Sequence, residues 1–313
     1  MRTKHVYASV DLLKEYLAGD GFDSDWTQDE TVLRRLLESA SVTIENHMGG
    51  RGFAPFTATR EYDLGSGLLR SRSELPQGRD PLTDEFTSVP IRGVVPLADW
   101  LSAVPTTVTA YDASARGSNV VLTEGIANDY ILEPYPQAPY HTLKLTENTD
   151  ERLNAGQKTL TILGAWGWQS DTELTGVTTD DSDASTETGD HINISSLAGI
   201  SAGEIILIEA EQVYVTSVTS HGGHVGAFGM RGVNGTTAAA HTTSLPISRY
   251  LYPSDVVEAC LSIARDRYTS REAGTTASIG TGVTITRPGA SQRAVLKSLD
   301  YYRQERDLAG VYF

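Results

Sequence analysis

The sequence has one cysteine, few basic residues and no long hydrophobic run. Its single cysteine, Cys260, excludes an internal disulfide and any metal site that needs several cysteines. No apolar stretch approaches the ~20 residues that cross a bilayer, and the N-terminus lacks the apolar segment of a signal peptide. The sequence therefore predicts a soluble, unprocessed chain, with Cys260 as a buried, unreactive thiol on the apolar side of a helix.

Basic residues are outnumbered, because 25 lysines and arginines stand against 40 aspartates and glutamates. The resulting net charge of −15 repels a polyanion overall and disfavours tight binding of the whole chain to nucleic acid. A chain of 313 residues is long enough for one large domain or two ordinary ones, each with a buried core.

Four segments carry the apolar spacing of amphipathic helices. The first follows Ser9, a residue type that caps helix N-termini. The second opens with a capping box formed by Thr27 and Glu30 and is expected to end at Gly49 and Gly50. The four predicted helices span residues 9–18, 27–48, 254–273 and 291–307.

Between the second and third helices, the helical spacing gives way to short β-branched and aromatic runs separated by Gly, Pro, Asp and Asn. The runs at 128–133, 141–146 and 159–166 have the composition of half-buried antiparallel strands. Residues 57–168 are therefore predicted to form one β unit. Further short runs over residues 191–250 predict a separate small barrel or roll.

The expected fold class is α+β, with a helical bundle made of the N-terminal and C-terminal helices, an antiparallel β unit and an inserted small β-barrel or roll domain. Residues 1–170 and 251–313 would form a discontinuous core, and residues 191–250 would form the inserted domain. Residues 171–190 contain many acids and no base, which predicts a solvated acidic linker between the two.

No set of residues has the spacing of a catalytic or metal site. His221 and His224 are separated by two glycines within a β segment, which favours a turn over a metal site. Trp166 and Trp168 have the spacing of one strand face, where core packing or subunit contact is commoner than sugar stacking. The sequence thus predicts a protein without enzymatic activity, cofactor or metal.

The order of these segments resembles the head–tail connector (adaptor) family of tailed bacteriophages. The capped helix at 27–48 and the return to helix after residue 253 carry the resemblance, together with the strand Leu-Thr-Ile-Leu-Gly-Ala-Trp-Gly-Trp at 160–168. Asp-Tyr-Ile-Leu at 129–132 and Tyr-Pro at 135–136 belong to the same pattern. The segment from Gly203 to His241, especially Arg-Gly-Val-Asn-Gly-Thr-Thr-Ala-Ala-Ala-His at 231–241, resembles a small β module of phage structural proteins.

The resemblance implies a structural virion protein that forms a ring, of twelve copies in this family, beneath the portal and around the DNA exit channel. The implied partners are other copies of the chain, the portal protein, a stopper or tail-completion protein, and genomic double-stranded DNA that passes without specific binding. No membrane is implied. The implied location is the neck of the virion, after assembly in the host cytoplasm. An acidic chain suits this role, because a basic lumen would hold DNA through many phosphate contacts.

Basic residues are relatively concentrated after residue 253, which favours docking of the C-terminal helix and tail onto an acidic portal surface. Deletion of residues 290–313 is therefore expected to abolish capsid attachment. The predicted portal contact consists of Tyr301, Tyr302, Arg303, Arg306, Tyr312 and Phe313.

Two alternatives remain open at the level of sequence. A carbohydrate-binding phage tail or surface protein would use Trp166, Trp168 and the inserted β domain. A hydrolase of the cell wall would need a pair of catalytic carboxylates, and the many acids of the chain do not single one out. Binding to a glycan array would reveal the first, and turnover of peptidoglycan would reveal the second.

Overall fold

The computed structural model describes residues 5–19, 30–64, 94–111, 119–146, 156–168, 170–180, 191–221, 224–275 and 288–302. These residues form two compact units. Unit 1 comprises the described residues within Met1–Phe56 and Ser170–Asp307, and unit 2 comprises those within Thr57–Gln169. Thirteen strands and four helices lie in the described ranges.

Unit 2 is built from strands that form one antiparallel sheet. The strands are β1 (Phe56–Leu64), β2 (Val94–Leu101), β3 (Thr107–Tyr111), β4 (Asn119–Leu122), β5 (Tyr130–Glu133), β6 (Tyr140–Leu145) and β7 (Gly156–Trp166). Their order is β4-β3-β7-β2-β6-β5, with β1 also beside β7. The predicted strands at 128–133, 141–146 and 159–166 correspond to β5, β6 and β7 and are confirmed.

The sheet of unit 2 follows the alternation that a half-buried strand requires. Along β7, Leu160 and Ile162 are fully buried, and the residues that alternate with them, Thr159, Thr161 and Leu163, are partly exposed. The terminal strands of the sheet order meet at one point, where Glu124 forms a bridge with Tyr130 and the Gly125 amide donates to the Tyr130 carbonyl at 2.8 Å. The sheet thus curls until its two ends touch.

Unit 1 contains the helices and a second antiparallel sheet. The helices are α1 (Val10–Ala18), α2 (Glu30–His47), α3 (Ser254–Thr275) and α4 (Pro288–Ser298). The strands are β8 (Thr172–Thr178), β9 (His191–Ile194), β10 (Ile205–Ile208), β11 (Glu211–His221), β12 (His224–Met230) and β13 (Pro246–Tyr250), in the order β8-β13-β10-β11-β12-β9.

The second sheet also closes on itself, because its terminal strands meet just beyond the end of β8. Thr179 forms a bridge with Ile194, and the Asp180 amide donates to the Asn193 carbonyl at 2.9 Å. The interior is an aliphatic core, and the described residues that form it are branched except for one alanine. Its members are Val177, Ile192, Ile194, Ile200, Ile206, Ile208, Val213, Val215, Ala227 and Ile247.

The acidic linker expected at 171–190 differs from the structure over its first part. Residues Thr172–Thr178 form β8, which pairs with β13. Glu173 of this strand accepts from the Arg249 Nε at 2.6 Å, so an acid that was expected to be solvated holds two strands together. Residues 181–190 lie outside the described part of the chain.

The expected helical bundle with an inserted β domain is wrong, because the chain is mostly β and its helices pack within one unit with the second sheet. The Val10 amide donates to the Ala202 carbonyl at 3.0 Å, and the Tyr214 hydroxyl on β11 donates to Glu38 on α2 at 2.5 Å. The loop between β9 and β10 thus supplies a partner to α1, and strand β11 supplies one to α2. The sheet therefore differs from the independent insertion that was expected.

The helix ends follow the capping chemistry of the sequence where they are described. The Ser9 side chain accepts from the Leu12 amide, which confirms the predicted cap of α1. Gly49 and Gly50 have φ of 73° and 87°, values that favour glycine, and they follow the end of α2 as predicted. Thr27, the expected cap of α2, lies outside the described residues.

Candidate functional site

The segment at 231–241 folds as a loop around one buried carboxylate, that of Glu211 on β11. Arg231 donates from Nε to Oε1 of Glu211 at 2.8 Å and from Nη2 to Oε2 at 2.6 Å. The side chains of both residues are almost inaccessible, at 5% and 1% exposure. This two-point geometry is the strongest ion pair that arginine makes with a carboxylate.

Three further donors converge on the same carboxylate. The Gly232 amide donates to Oε1 at 3.0 Å, the Ala239 amide to Oε2 at 3.0 Å, and Nε2 of His241 lies 2.8 Å from Oε2. Burial by itself raises the pKa of Glu211, but the hydrogen bonds from Arg231, Ala239 and His241 outweigh it and lower that pKa. The loop at 231–241 thus keeps the Glu211 carboxylate ionised, and the hydrogen bonds to this carboxylate in turn hold the loop in place.

The next residue, Gln212, connects this loop to the segment before β1. Its side-chain Oε1 accepts from Nδ2 of the buried Asn234 at 2.9 Å, and its Nε2 donates to the Pro55 carbonyl at 3.0 Å. Asn234 and Gly235 have φ of 55° and 82°, a left-handed turn that asparagine and glycine adopt most readily. The segment at 231–241 therefore contains a left-handed turn at Asn234 and Gly235, and the Asn234 side chain bonds that turn to Gln212.

The arrangement around Glu211 is unsuited to proton transfer or nucleophilic attack. Both carboxylate oxygens already accept at least two hydrogen bonds, and the guanidinium that neutralises them is buried. A general base needs an oxygen within reach of a substrate proton. We therefore assign the Glu211 cluster a structural role.

A second polar cluster joins the N-terminal segment to α2. Glu45 accepts from the Tyr7 hydroxyl at 2.6 Å and lies 2.6 Å from Nδ1 of His5. The Tyr7 hydroxyl in turn accepts from the Phe53 amide at 3.0 Å. Burial, and then the nearby Glu45 carboxylate, raise the pKa of Tyr7 well above its usual value. Tyr7 thus stays neutral and donates its proton to a fixed acceptor.

The single cysteine is buried where the sequence placed it. Cys260 on α3 is fully buried, and its Sγ lies 3.5 Å from the Ser41 hydroxyl on α2. Burial raises the pKa of its thiol to about 11. The prediction of a buried thiol in a helix is confirmed, and the raised pKa keeps the thiolate scarce at neutral pH.

The predicted portal-contact residues that the structure describes, Tyr301 and Tyr302, have different surroundings. Tyr301 is 65% exposed. Tyr302 is 8% exposed, packs edge-on against Phe53 at 5.1 Å and donates its hydroxyl to Oδ1 of Asp255 at 2.9 Å. Tyr302 therefore holds the helices together, and Tyr301 is the one presented to solvent. Arg303, Arg306, Tyr312 and Phe313 lie outside the described residues.

The tryptophans of the alternative sugar platform lie in or against the core of unit 2. Trp166 is fully buried and donates from Nε1 to the Ala58 carbonyl at 2.9 Å. The Trp168 ring meets the fully buried Trp100 edge-on, with ring centroids 4.9 Å apart. A buried Trp166 offers no face to a sugar, so the geometry does not favour the carbohydrate-binding alternative through this pair.

Glu211, around which the loop at 231–241 folds, was not predicted from the sequence. The signal was present, because Arg231 and His241 at the two ends of the motif are cationic or polar groups in a segment that is otherwise small and uncharged. Buried groups of this kind need an acidic partner. Glu211, which begins β11 and lies 20 residues before Arg231, was the candidate for that acidic partner.

The described residues and the comparisons with known proteins do not indicate a known activity. Among the described residues, no group of three or more His, Cys, Asp or Glu side chains is placed to hold a metal ion. His221 and His224 are paired in the β11–β12 hairpin, as the predicted turn requires. No helix in the described ranges has the length and apolar composition needed to cross a membrane.

Protein-family models, curated proteins and solved structures contain no match to this chain.

Proposed function

We propose that this chain is the subunit of a head–tail connector of a tailed bacteriophage. In this role it is a structural virion protein without catalytic activity, and copies of it form a ring, twelve in the family that it resembles, between the portal and the tail. Its partners are its own copies, the portal protein, a stopper or tail-completion protein, and double-stranded DNA in transit. Its place is the neck of the virion.

The observation that carries this proposal is the packing of the N-terminal helices on the C-terminal ones. Arg267 of α3 donates from Nη1 to Ser39 at 2.6 Å and from Nη2 to Thr43 at 2.7 Å, both on α2. Tyr16 of α1 donates its hydroxyl to Glu258 of α3 at 2.9 Å. The resemblance to connectors rests on the return to helix after a long β segment. These contacts explain that return, because the C-terminal helix α3 packs on the N-terminal helices α1 and α2.

The charge of the chain fits passage of DNA without binding. A net charge of −15 gives no general attraction for phosphates, and long-range repulsion keeps a duplex away from the walls of a ring. Arg249 and Arg231, two of the described basic residues, already face acids within unit 1. Phosphate binding by these side chains would require the ion pairs to break.

The proposal is tested by locating the chain in purified phage particles by electron microscopy with an antibody against it. Label in the neck, between capsid and tail, is the expected result. Particles from a mutant phage that lacks the chain are the control and should show DNA-filled capsids without tails. Label on fibres or on the capsid faces, or tailed infectious particles without the chain, would overturn the proposal.

A further inference from the structure

His241, at the end of the loop at 231–241, lies between two carboxylates. Its Nε2 is 2.8 Å from Oε2 of Glu211, and its Nδ1 is 3.2 Å from Oε2 of Glu209. The imidazole side chain is 1% exposed, whereas the side chain of Glu209 is 58% exposed. Both ring nitrogens therefore have an acidic oxygen within hydrogen-bond distance, one in the interior and one at the surface.

The two contacts together decide how many protons the ring must carry. An ionised carboxylate only accepts hydrogen bonds, and a neutral imidazole has one N–H donor and one nitrogen that accepts. A neutral ring can therefore donate to one of the two carboxylates, and it turns a lone pair towards the other. An imidazolium, with a proton on each nitrogen, donates to both.

The charges around the ring balance when it carries this second proton. The charged groups that face His241 come from the β10–β11 turn, from β11 and from the loop after β12, and they are Glu209, Glu211 and Arg231. Arg231 acts on the ring through the shared carboxylate of Glu211. Two acids and one guanidinium leave one negative charge, which an imidazolium cancels.

The backbone of Glu209 indicates that its carboxylate is held in place by this contact. Glu209 and Ala210 form the two-residue turn between β10 and β11, because Ile208 pairs with Glu211. Glu209 has φ of 54°, in the left-handed region that residues with a Cβ rarely adopt. An unfavourable backbone of this kind persists only where surrounding contacts compensate for it, and the bond to His241 is such a contact.

We propose that His241 is a proton-dependent clamp between the β10–β11 turn and the end of the loop at 231–241. With a proton on each ring nitrogen, His241 donates to Glu209 and Glu211 and fixes the turn on the loop. At higher pH the ring gives one proton to water. The remaining proton stays on Nε2, because Glu211 is buried and Glu209 can turn to solvent.

Loss of this proton releases the turn and leaves the centre of the loop intact. The bond to Glu209 is lost, while Arg231 still holds Glu211 at two points. Histidine suits such a device, because it is the side chain that ordinarily changes its charge between pH 5 and 8. The clamp is therefore closed at the acidic end of this range and open at the alkaline end.

The unfolding equilibrium of the full chain, measured in urea at pH 6 and at pH 9.5, tests the clamp. The Glu209→Gln variant keeps the size of the side chain and removes its charge. At pH 6 its unfolding constant should be about 3-fold larger than that of the natural chain, as for other partly exposed ion pairs. At pH 9.5 the two constants should be equal, because the natural chain has lost the same bond.

Glu173→Gln is the matched control for this measurement. It removes a half-exposed acid from a pair with Arg249, which keeps its charge at both pH values. The unfolding constant of this variant, relative to that of the natural chain, should be the same at pH 6 and at pH 9.5. A ratio for Glu209→Gln that is equally unaffected by pH, or larger at pH 9.5, would overturn the clamp.

Nitrogen NMR of the natural chain with isotope-labelled histidine detects the ring protons directly. The His241→Gln variant identifies the two ring signals of His241 by their absence. At pH 6 both signals should have the chemical shifts of protonated nitrogens, and at pH 9.5 only that of Nε2 should keep them. A ring with an unprotonated nitrogen at pH 6 would refute the imidazolium, and equal protonation at both pH values would refute the release of the turn.

Discussion

Arg231 and Glu211 form a two-point ion pair at 2.8 and 2.6 Å in the interior of unit 1, with the loop of residues 231–241 wrapped around it. Because neither side chain reaches solvent, the pair is maintained by the surrounding fold, and the fold in turn depends on the pair. The relationship explains why a segment of small residues begins with an arginine and ends with a histidine. It also leads to the first prediction.

Replacing Glu211 with glutamine should destabilise the chain strongly. The change keeps the size of the side chain but leaves the buried guanidinium of Arg231 without an opposite charge, which costs roughly 3 kcal/mol or more. The free energy of unfolding from urea denaturation measures the loss. Glu173→Gln, which removes an acid from the half-exposed pair with Arg249, is the matched control and should cost less than about 1 kcal/mol. Equal effects of the two substitutions would contradict the buried-pair account.

The contribution of Glu211 to folding stability should decrease as the pH falls. Its pKa is lowered in the folded state, so its stabilising effect is present above the unfolded value near 4.5 and is lost as pH falls through the folded pKa. The difference in unfolding free energy between the natural chain and the Glu211→Gln variant should therefore be constant from pH 7 to about 5 and shrink below that.

The difference between the two proteins is the useful quantity here, because other acids titrate over the same range. Glu204 is an example of the opposite sign: burial raises its pKa, so that its ionisation opposes folding as pH rises. Its effect is common to both proteins and cancels. A difference that grows on acidification would show that Glu211 is protonated in the folded chain.

Adjacent tyrosines at the end of the described chain should respond differently to truncation. Tyr302→Ala removes a ring that packs on Phe53 and should cost about 3 kcal/mol of folding free energy, as loss of a buried aromatic ring does. Tyr301→Ala should change stability by less than about 0.5 kcal/mol, because its ring is mostly exposed. Thermal or urea denaturation measures both. A marked loss of stability in Tyr301→Ala would place that ring in the fold.

The difference in burial between Tyr301 and Tyr302 also decides how the predicted portal contact should be tested. Deletion of 290–313 removes the fully buried Leu299 as well as Tyr302, so loss of capsid attachment would be explained by damage to the fold. Ending the chain after Tyr302 keeps both residues. That truncation and Tyr301→Ala should each reduce binding to tail-less capsids while the chain stays folded. Full attachment of both variants would exclude this end of the chain from the portal contact.

The Cys260 thiol should be unreactive in the native chain. It is fully buried, and burial raises its pKa to about 11, so that little thiolate is present at pH 8. Labelling with a thiol reagent should therefore follow global unfolding, with complete reaction in urea and almost none without it. Rapid, stoichiometric labelling under native conditions would show that α2 and α3 separate readily.

Much of the local structure could be predicted from the sequence, and the fold class could not. The stripe of Leu33, Leu37, Ala40 and Ile44 gave α2, and the alternation along 159–166 gave β7, because each pattern has one period and a clear end. Strand β9 is four residues long, too short to show a period. Its partner β12 is remote in sequence, and β8 lies in an acidic segment that was expected to remain solvated.

The surroundings of the candidate residues could also be predicted only in part from the sequence. Burial of Cys260 followed from its place on an apolar helical face, whereas the opposite surroundings of Tyr301 and Tyr302 depend on Phe53 and Asp255, which are distant in sequence. Contacts between remote segments are what a single sequence does not display.

The most direct test of the connector proposal is the mass of the natural full-length chain, measured by mass photometry alone and after mixing with tail-less capsids. The proposal predicts a closed oligomer of one discrete size, twelve copies by the family resemblance, in solution or bound to the portal vertex. Monomers under both conditions would contradict it.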